Sequence, residues 1–282
     1  MKKLNLSFLV ISLLCYFTLT TSCDTKTKTV DNPILFKSIE KDEAYYINKD
    51  TTKPGCNIKI HFEYPDSSSH KENLLVSMTE IMYGELFKNM LPEQATNEFI
   101  KRYVQSFKQF ITLTENNEYK EDESIYEDET GYSYYLKLKN TITYNKNHFV
   151  SFYVENTSYE GGAHSSKNIH GYVFNLSTNS RLHEDEFAGD NYEKNMANIL
   201  IEKLMTAKGV KDVQELENLG YITPEDIKPN DNFTLDAKGI TYYFNENEIA
   251  GTMIGITRIF IPYEELSIYI QKESPISTLI TN

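Results

Sequence analysis

Tryptophan is absent from the 282 residues and cysteine occurs three times, so the large packing rings are the 21 tyrosines and 15 phenylalanines. Cys15 and Cys23 both fall within an apolar N-terminal stretch or at its end, which leaves Cys56 alone in the remainder. A disulfide inside the mature chain is excluded, and Cys56 reads as a buried thiol rather than a nucleophile. Basic residues are also scarce: 28 Lys and Arg stand against 41 Asp and Glu, a formal charge of −13. Such a chain repels phosphate backbones, which argues against nucleic acid. Beyond the N-terminus no apolar run approaches the roughly 20 residues of a membrane-spanning helix. Neither G-x-G-x-x-G nor G-x-x-x-x-G-K-[ST] occurs, so these phosphate loops are excluded, and nothing calls for a cofactor.

What is present at the start has the form of a secretion signal. Lys2 and Lys3 precede an apolar stretch from Leu6 to Leu19, and small or hydroxyl residues lead to Cys23. The ending "LTTSC" resembles the bacterial lipoprotein signal, in which the cysteine becomes the lipid-carrying first residue. Residues 1–22 are expected to be removed, Cys23 to carry the lipid, and 23–32 to form a polar tether. The alternative is simple cleavage nearby and full secretion. Loss of Lys2 and Lys3 takes the charge to −15, compatible with a basic partner or with plain solubility in the envelope.

The body reads as α+β, a largely antiparallel sheet packed with helices in two α/β subdomains, 33–148 and 149–282. In "NIKIHFEYP", Ile58, Ile60, Phe62 and Tyr64 share one strand face. Helical spacing follows at Leu74, Leu75, Met78, Ile81, Met82 and Leu86, then at Ala95, Phe99, Tyr103, Phe107 and Ile111, with Pro92 marking the break. These stripes are core. The acidic run from Glu118 to Glu129 lacks calcium-loop spacing and reads as a solvated loop or exposed strand edge. Two strands follow, "YSYYLKLKNTITY" and "HFVSFYVEN", with a turn at Asn145–Asn147 between them. The alternating tyrosines suit half-buried strands, with a tyrosine-lined groove as the alternative. Asp190 and Glu193 predict a capping box opening a helix that Gly209 stops; a shorter helix ends at Gly220. Strands in "NFTLDAKGITYYFNENEIA" and "ITRIFIPYEEL" close the chain.

The stretch "NTSYEGGAHSSKNIHGYVFNLSTN" has the ingredients of a site. Gly161 and Gly162 most simply supply backbone angles closed to other residues. His164 and His170 fail the metal pair H-[ST]-x-x-H of polysaccharide deacetylases, since Asn168 holds the second position and no Asp-Asp pair exists. His183, Glu184 and Asp185 could lend ligands, but without a recognised spacing no metal site is assigned.

Together, "YEGGAH", "FNLSTNSRL", "FTLDAKGITYYFNENEIAG" and "IFIPYEEL" resemble the RsiV-like C-terminal domain over about Phe149 to Ile270. That domain occurs in the extracellular region of lysozyme-sensing anti-sigma factors, beside the catalytic domain of PdaC-type deacetylases, and in bacterial lipoproteins. Its usual Pro-Tyr-Glu-Ile-Ala-Pro-Tyr is altered here, with Glu246 and Asn247 in place of the first Pro-Tyr and Gly251 and Thr252 in place of the second. The resemblance implies a non-enzymatic, lipid-anchored binding protein of the bacterial cell envelope, displayed at the outer membrane or cell surface. Lysozyme or a peptidoglycan-type glycan is the implied partner. Tyr159, Glu160, Gly161, Gly162 and His164, with Asn245, Asn247 and Glu248, are the expected contact residues. The alternative is a hydrolase acting on cell-wall or other glycans through a carboxylate pair, with Glu160 and Glu248 the acids nearest the motifs.

Overall fold

The computed structural model describes residues 33–69, 71–115, 133–161, 164–222 and 226–280. The signal, Cys23, the tether, the acidic run 118–129 and Gly162 lie outside them.

Alternation of apolar side chains builds the main sheet. Its strands are β1 (Phe36–Tyr46), β2 (Gly55–Pro65), β3 (Tyr134–Lys146), β4 (Phe149–Tyr159), β5 (Ser166–Asn175) and β6 (Ser180–Arg181), side by side in chain order. All neighbours are antiparallel except β2 and β3. That pair is parallel because α1 (Glu72–Tyr83) and α2 (Pro92–Glu115) intervene, giving the chain length to cross back. β3 and β4 join through Asn147 and His148, both with positive φ (52° and 64°), the geometry of a tight two-residue hairpin turn. The turn is thus later than the expected Asn145–Asn147; Asn145 is still paired in β3, and its side chain holds the Ile34 backbone.

One face of this sheet carries the first core. Ile58, Ile60 and Phe62 of β2 and Val150, Phe152 and Val154 of β4 meet Leu74, Met78 and Met82 of α1 and Ala95, Phe107 and Ile111 of α2. Burying a ring the size of Phe62 is worth about 2–3 kcal/mol. The α1 stripe stops short of its expected end. Gly84, with φ of 97°, breaks the helix, and Leu86 falls in the next turn, 74% exposed. Pro92 opens α2, where a missing N–H costs nothing.

The second core lies on the opposite face. A small antiparallel sheet, β7 (Phe233–Leu235), β8 (Gly239–Phe244) and β9 (Thr257–Pro262), packs with α3 (Tyr192–Lys208), α4 (Val213–Asn218), α5 (Tyr263–Leu266) and α6 (Ser277–Ile280). β7 seats against β4 and β5. The Leu235 N–H donates to Ser151 Oγ at 2.8 Å, and a Cβ on Gly171 would lie 2.2 Å from the Phe233 carbonyl oxygen. The main sheet therefore runs continuously through residues 148 and 149, inside one compact unit from Asp31 to Asn282. The expected boundary at 148/149 falls in the β3–β4 hairpin; the first core draws on residues from Ile34 to Val154 with Phe174, and the second on residues from Val173 to Leu279 with Tyr144 and Phe149, on opposite faces of the sheet.

The capping box at Asp190 is not formed. α3 begins after Asn191, whose φ of 59° turns the backbone and leaves Asp190 one position too early. A reciprocal box exists instead at His183 and Glu186, where the Glu186 carboxylate accepts the His183 N–H at 2.9 Å. Gly209 stops α3 with φ of 69°, as expected.

Candidate functional site

The two regions expected from the sequence attach to the first half of β5. Tyr159 ends β4, and Glu160 follows it on the surface. The Glu160 carboxylate faces Tyr103, Cys56 and Tyr134: burial first, then this charge, pushes the Cys56 thiol up to about 12 and Tyr103 higher still. Cys56 is fully buried and inert by that measure. Gly161 takes φ of 87°, and a Cβ there would meet the Phe110 ring at 3.3 Å, so its role is backbone geometry. His164 and His170 are exposed on the connecting loop and on β5.

Asn245 is not a surface contact. It is 6% exposed; its Oδ1 accepts the Ile169 N–H at 2.7 Å and its Nδ2 donates to the Ile169 carbonyl at 3.2 Å. Asn232 does the same one residue pair along, accepting from Gly171 N–H at 2.7 Å and donating to Ile169 at 2.9 Å. β6 covers only Phe174 and Asn175, so these amides stand in for a neighbouring strand along the open edge of β5. Glu248 braces them, accepting from Asn245 at 3.2 Å and from Asn230 at 3.1 Å. Asn247 sits at φ of 65°, a conformation strained for tyrosine, and its Oδ1 accepts the Thr252 hydroxyl. The turn is thus built for shape.

The perturbed acid lies elsewhere. His183, Glu184, Asp185, Ala188, Tyr192, Glu193 and Asp231 line an open cleft of about 650 Å³. Burial pushes the Glu184 carboxyl up to about 7; hydrogen bonds from Tyr242 and the Asp231 N–H oppose the rise, and the Asp231 charge adds to it. Behind Glu184, the Tyr192 and Tyr242 hydroxyls lie 2.7 Å apart in the core. The two acids hold each other's backbone: Asp231 N–H donates to Glu184 Oε2 at 3.2 Å, and Glu184 N–H to Asp231 Oδ1 at 3.0 Å. Asp231 also binds His183 Nδ1 at 2.6 Å and Arg181 at 3.5 Å. Asp185 and Glu193 are exposed on its lining, Glu193 paired with Lys228 at 3.5 Å, and Glu186 and Asp190 are exposed beside them in sequence. Among the described residues no group of three His, Cys, Asp or Glu is placed to hold a metal ion. The sequence exposes His183 and Glu184 as chemically interesting, but their partner Asp231 is 47 residues from Glu184, and only the fold joins them.

Two family models match: "Deacetylase PdaC" over residues 56–167 and "Protein of unknown function (DUF3298)" over residues 184–264. The cleft and the Asn245–Gly251 turn fall in the second, and the glycine loop begins within the first. A DUF3298 family member from Bacteroides fragilis is similar in structure, with TM-score 0.74 and 26% identity over 88% of this chain and 97% of that one. A DUF3298 family protein from Pseudomonas aeruginosa shares the fold, with TM-score 0.56 and 13% identity over 86% and 96%. Comparison with curated proteins finds no match. The pairing of domains fits a cell-envelope protein, and the mixed α+β fold is that of its DUF3298 neighbours. On these matches the chain carries a domain of the PdaC/DUF3298 type.

Proposed function

We propose that this is a non-enzymatic binding protein of the bacterial envelope, lipid-anchored through Cys23, whose acidic cleft mouth docks a basic protein surface. The resemblance to the RsiV-like domain makes lysozyme the first candidate. One observation carries the preference for binding over catalysis: Glu184 and Asp231 each accept the other's backbone N–H, so both carboxylates are committed to joining two loops. Asp185 and Glu193 are exposed on the same cleft, Glu186 and Asp190 are exposed beside them in sequence, and a chain of net charge −13 steers a cation toward such a surface.

Deacetylation, the activity named by the match over residues 56–167, gains no support from the histidines described there. His61 is held by Glu40, and His148 and His164 stand in separate turns. A glycan hydrolase is the second reading, favoured by the carboxyl of Glu184, which at about 7 suits a general acid. Glu160 and Glu248 are not its pair, since Glu248 is occupied by Asn245 and Asn230.

The test is calorimetric titration of hen-type lysozyme into the wild-type chain and into Asp185→Asn/Asp190→Asn/Glu193→Gln. Binding weakened about tenfold or more by the triple variant is expected for a charge-complementary interface. Unchanged affinity would remove the cleft mouth as the docking surface. Release of reducing ends from wall glycan, abolished by Glu184→Gln, would establish the hydrolase instead.

A further inference from the structure

A second polar cluster lies at the corner where β8 and β9 rise from the main sheet. Glu155 on β4 is held by Lys139 from β3 at 3.2 Å and Lys167 from β5 at 3.5 Å, and its side chain is only 14% exposed. Arg258 on β9 lies over both the Tyr153 and Tyr243 rings, 5.9 Å from each centroid, with those rings 5.7 Å apart. Among the described residues no carboxylate forms an ion pair with Arg258. Burial pushes Glu155 up, but Lys139, Lys167 and Arg258 outweigh it and hold the carboxyl below its ordinary range. Three cations therefore share the one carboxylate of Glu155, while on its other side Lys139 borders a groove with Lys59, Lys137, Glu40 and Asp42.

Alternation along β9 puts Phe260 on the same face as Arg258, 41% exposed, with its ring beside Gly239. We propose that this corner binds an acidic saccharide, its carboxylate taken by Lys139, Lys167 and Arg258 and the apolar face of a sugar ring resting on Phe260. The chemistry favours that class. Cations gathered around Glu155 and the tyrosines supply charge-assisted hydrogen bonds, and an exposed aromatic ring stacks on C–H faces. An extended acidic peptide is disfavoured because the neighbouring edge of β5 is already filled by Asn232 and Asn245. The site is independent of the acidic cleft, and its failure would leave the docking reading untouched.

The experiment titrates the purified chain with tetragalacturonate, its methyl ester, a tetraglutamate peptide and inorganic sulfate. Tetragalacturonate is expected to bind, with the ester at least about tenfold weaker because the charge is gone. Lys139→Gln/Lys167→Gln should weaken it about tenfold, and Lys139→Arg/Lys167→Arg should restore most of that loss. Glu155→Gln, which removes the competing carboxylate, should tighten binding about threefold, the sign a purely structural role would not give. Phe260→Ala should weaken tetragalacturonate about fivefold and leave sulfate unchanged. Equal binding of acid and ester, no response to the lysine changes, or no binding by any probe would overturn the site. Sulfate binding as tightly as the sugar would reduce it to a simple anion site, and tetraglutamate matching the sugar would make it a peptide site; either overturns the saccharide assignment.

Discussion

Glu184 behaves as a buried acid whose preferred state changes near neutrality. Its ordinary value of 4.5 applies in the unfolded chain, and folding raises it to about 7, chiefly through burial. Between those limits the folded protein keeps a proton that the unfolded chain has lost. Stability from this group is therefore full below about pH 4.5 and is lost as pH rises to and through 7, by about 3 kcal/mol. Urea denaturation from pH 4 to 8 should show that slope in the wild type and lose it in Glu184→Gln, which still accepts the Asp231 N–H. A wild-type slope unchanged by the substitution would assign the pH dependence to other groups. Asn245 belongs to the same scale. Asn245→Ala leaves the Ile169 N–H without its partner in a buried setting and should destabilise by about 2 kcal/mol. An effect on partner binding with no loss of stability would restore Asn245 to the surface role its motif suggested.

At the scale of elements, the fold depends on how closely β7 lies on β4 and β5. Gly171→Ala sets a methyl 2.2 Å from the Phe233 carbonyl oxygen, a clash with backbone on a strand held from both sides. The expected result is a loss of about 3 kcal/mol or more, read as a lower denaturation midpoint; a neutral substitution would mean the two sheets can part without cost. Much of this layer was legible beforehand. Ile58, Ile60 and Phe62 alternate because one face of β2 is buried, and the Ala95–Ile111 stripe repeats because one face of α2 covers it. The box expected at Asp190 does not form because Asn191, in a left-handed conformation, delays the helix. The edge caps were not legible at all. A buried Asn standing in for a strand looks, in sequence, like any turn Asn, and its partner Ile169 is 76 residues away. The Glu184–Asp231 pair was half visible for the same reason: the "HED" run stands out, while Asp231 and Tyr242 are supplied by distant segments of the chain.

At the scale of the whole molecule, the proposed lipid anchor on Cys23 is tested directly. Cys23→Ser should shift the protein from the membrane fraction to the soluble fraction without altering its circular dichroism, whereas retention in membranes would remove the lipid anchor. The acids around the cleft and the cations at the β8–β9 corner give two regions of opposite sign, so salt should weaken each kind of binding to a different extent. Docking of lysozyme is tested most directly by the dissociation constant of the complex at low and at roughly physiological ionic strength, near 0.15 M, where exposed charges more than about 8 Å apart are largely screened. Binding that persists at the higher salt, weakened by no more than about tenfold, is the predicted result for a fitted interface with electrostatic steering. Binding that disappears there would be unspecific charge attraction, and binding absent at both would contradict the assignment of lysozyme as the partner.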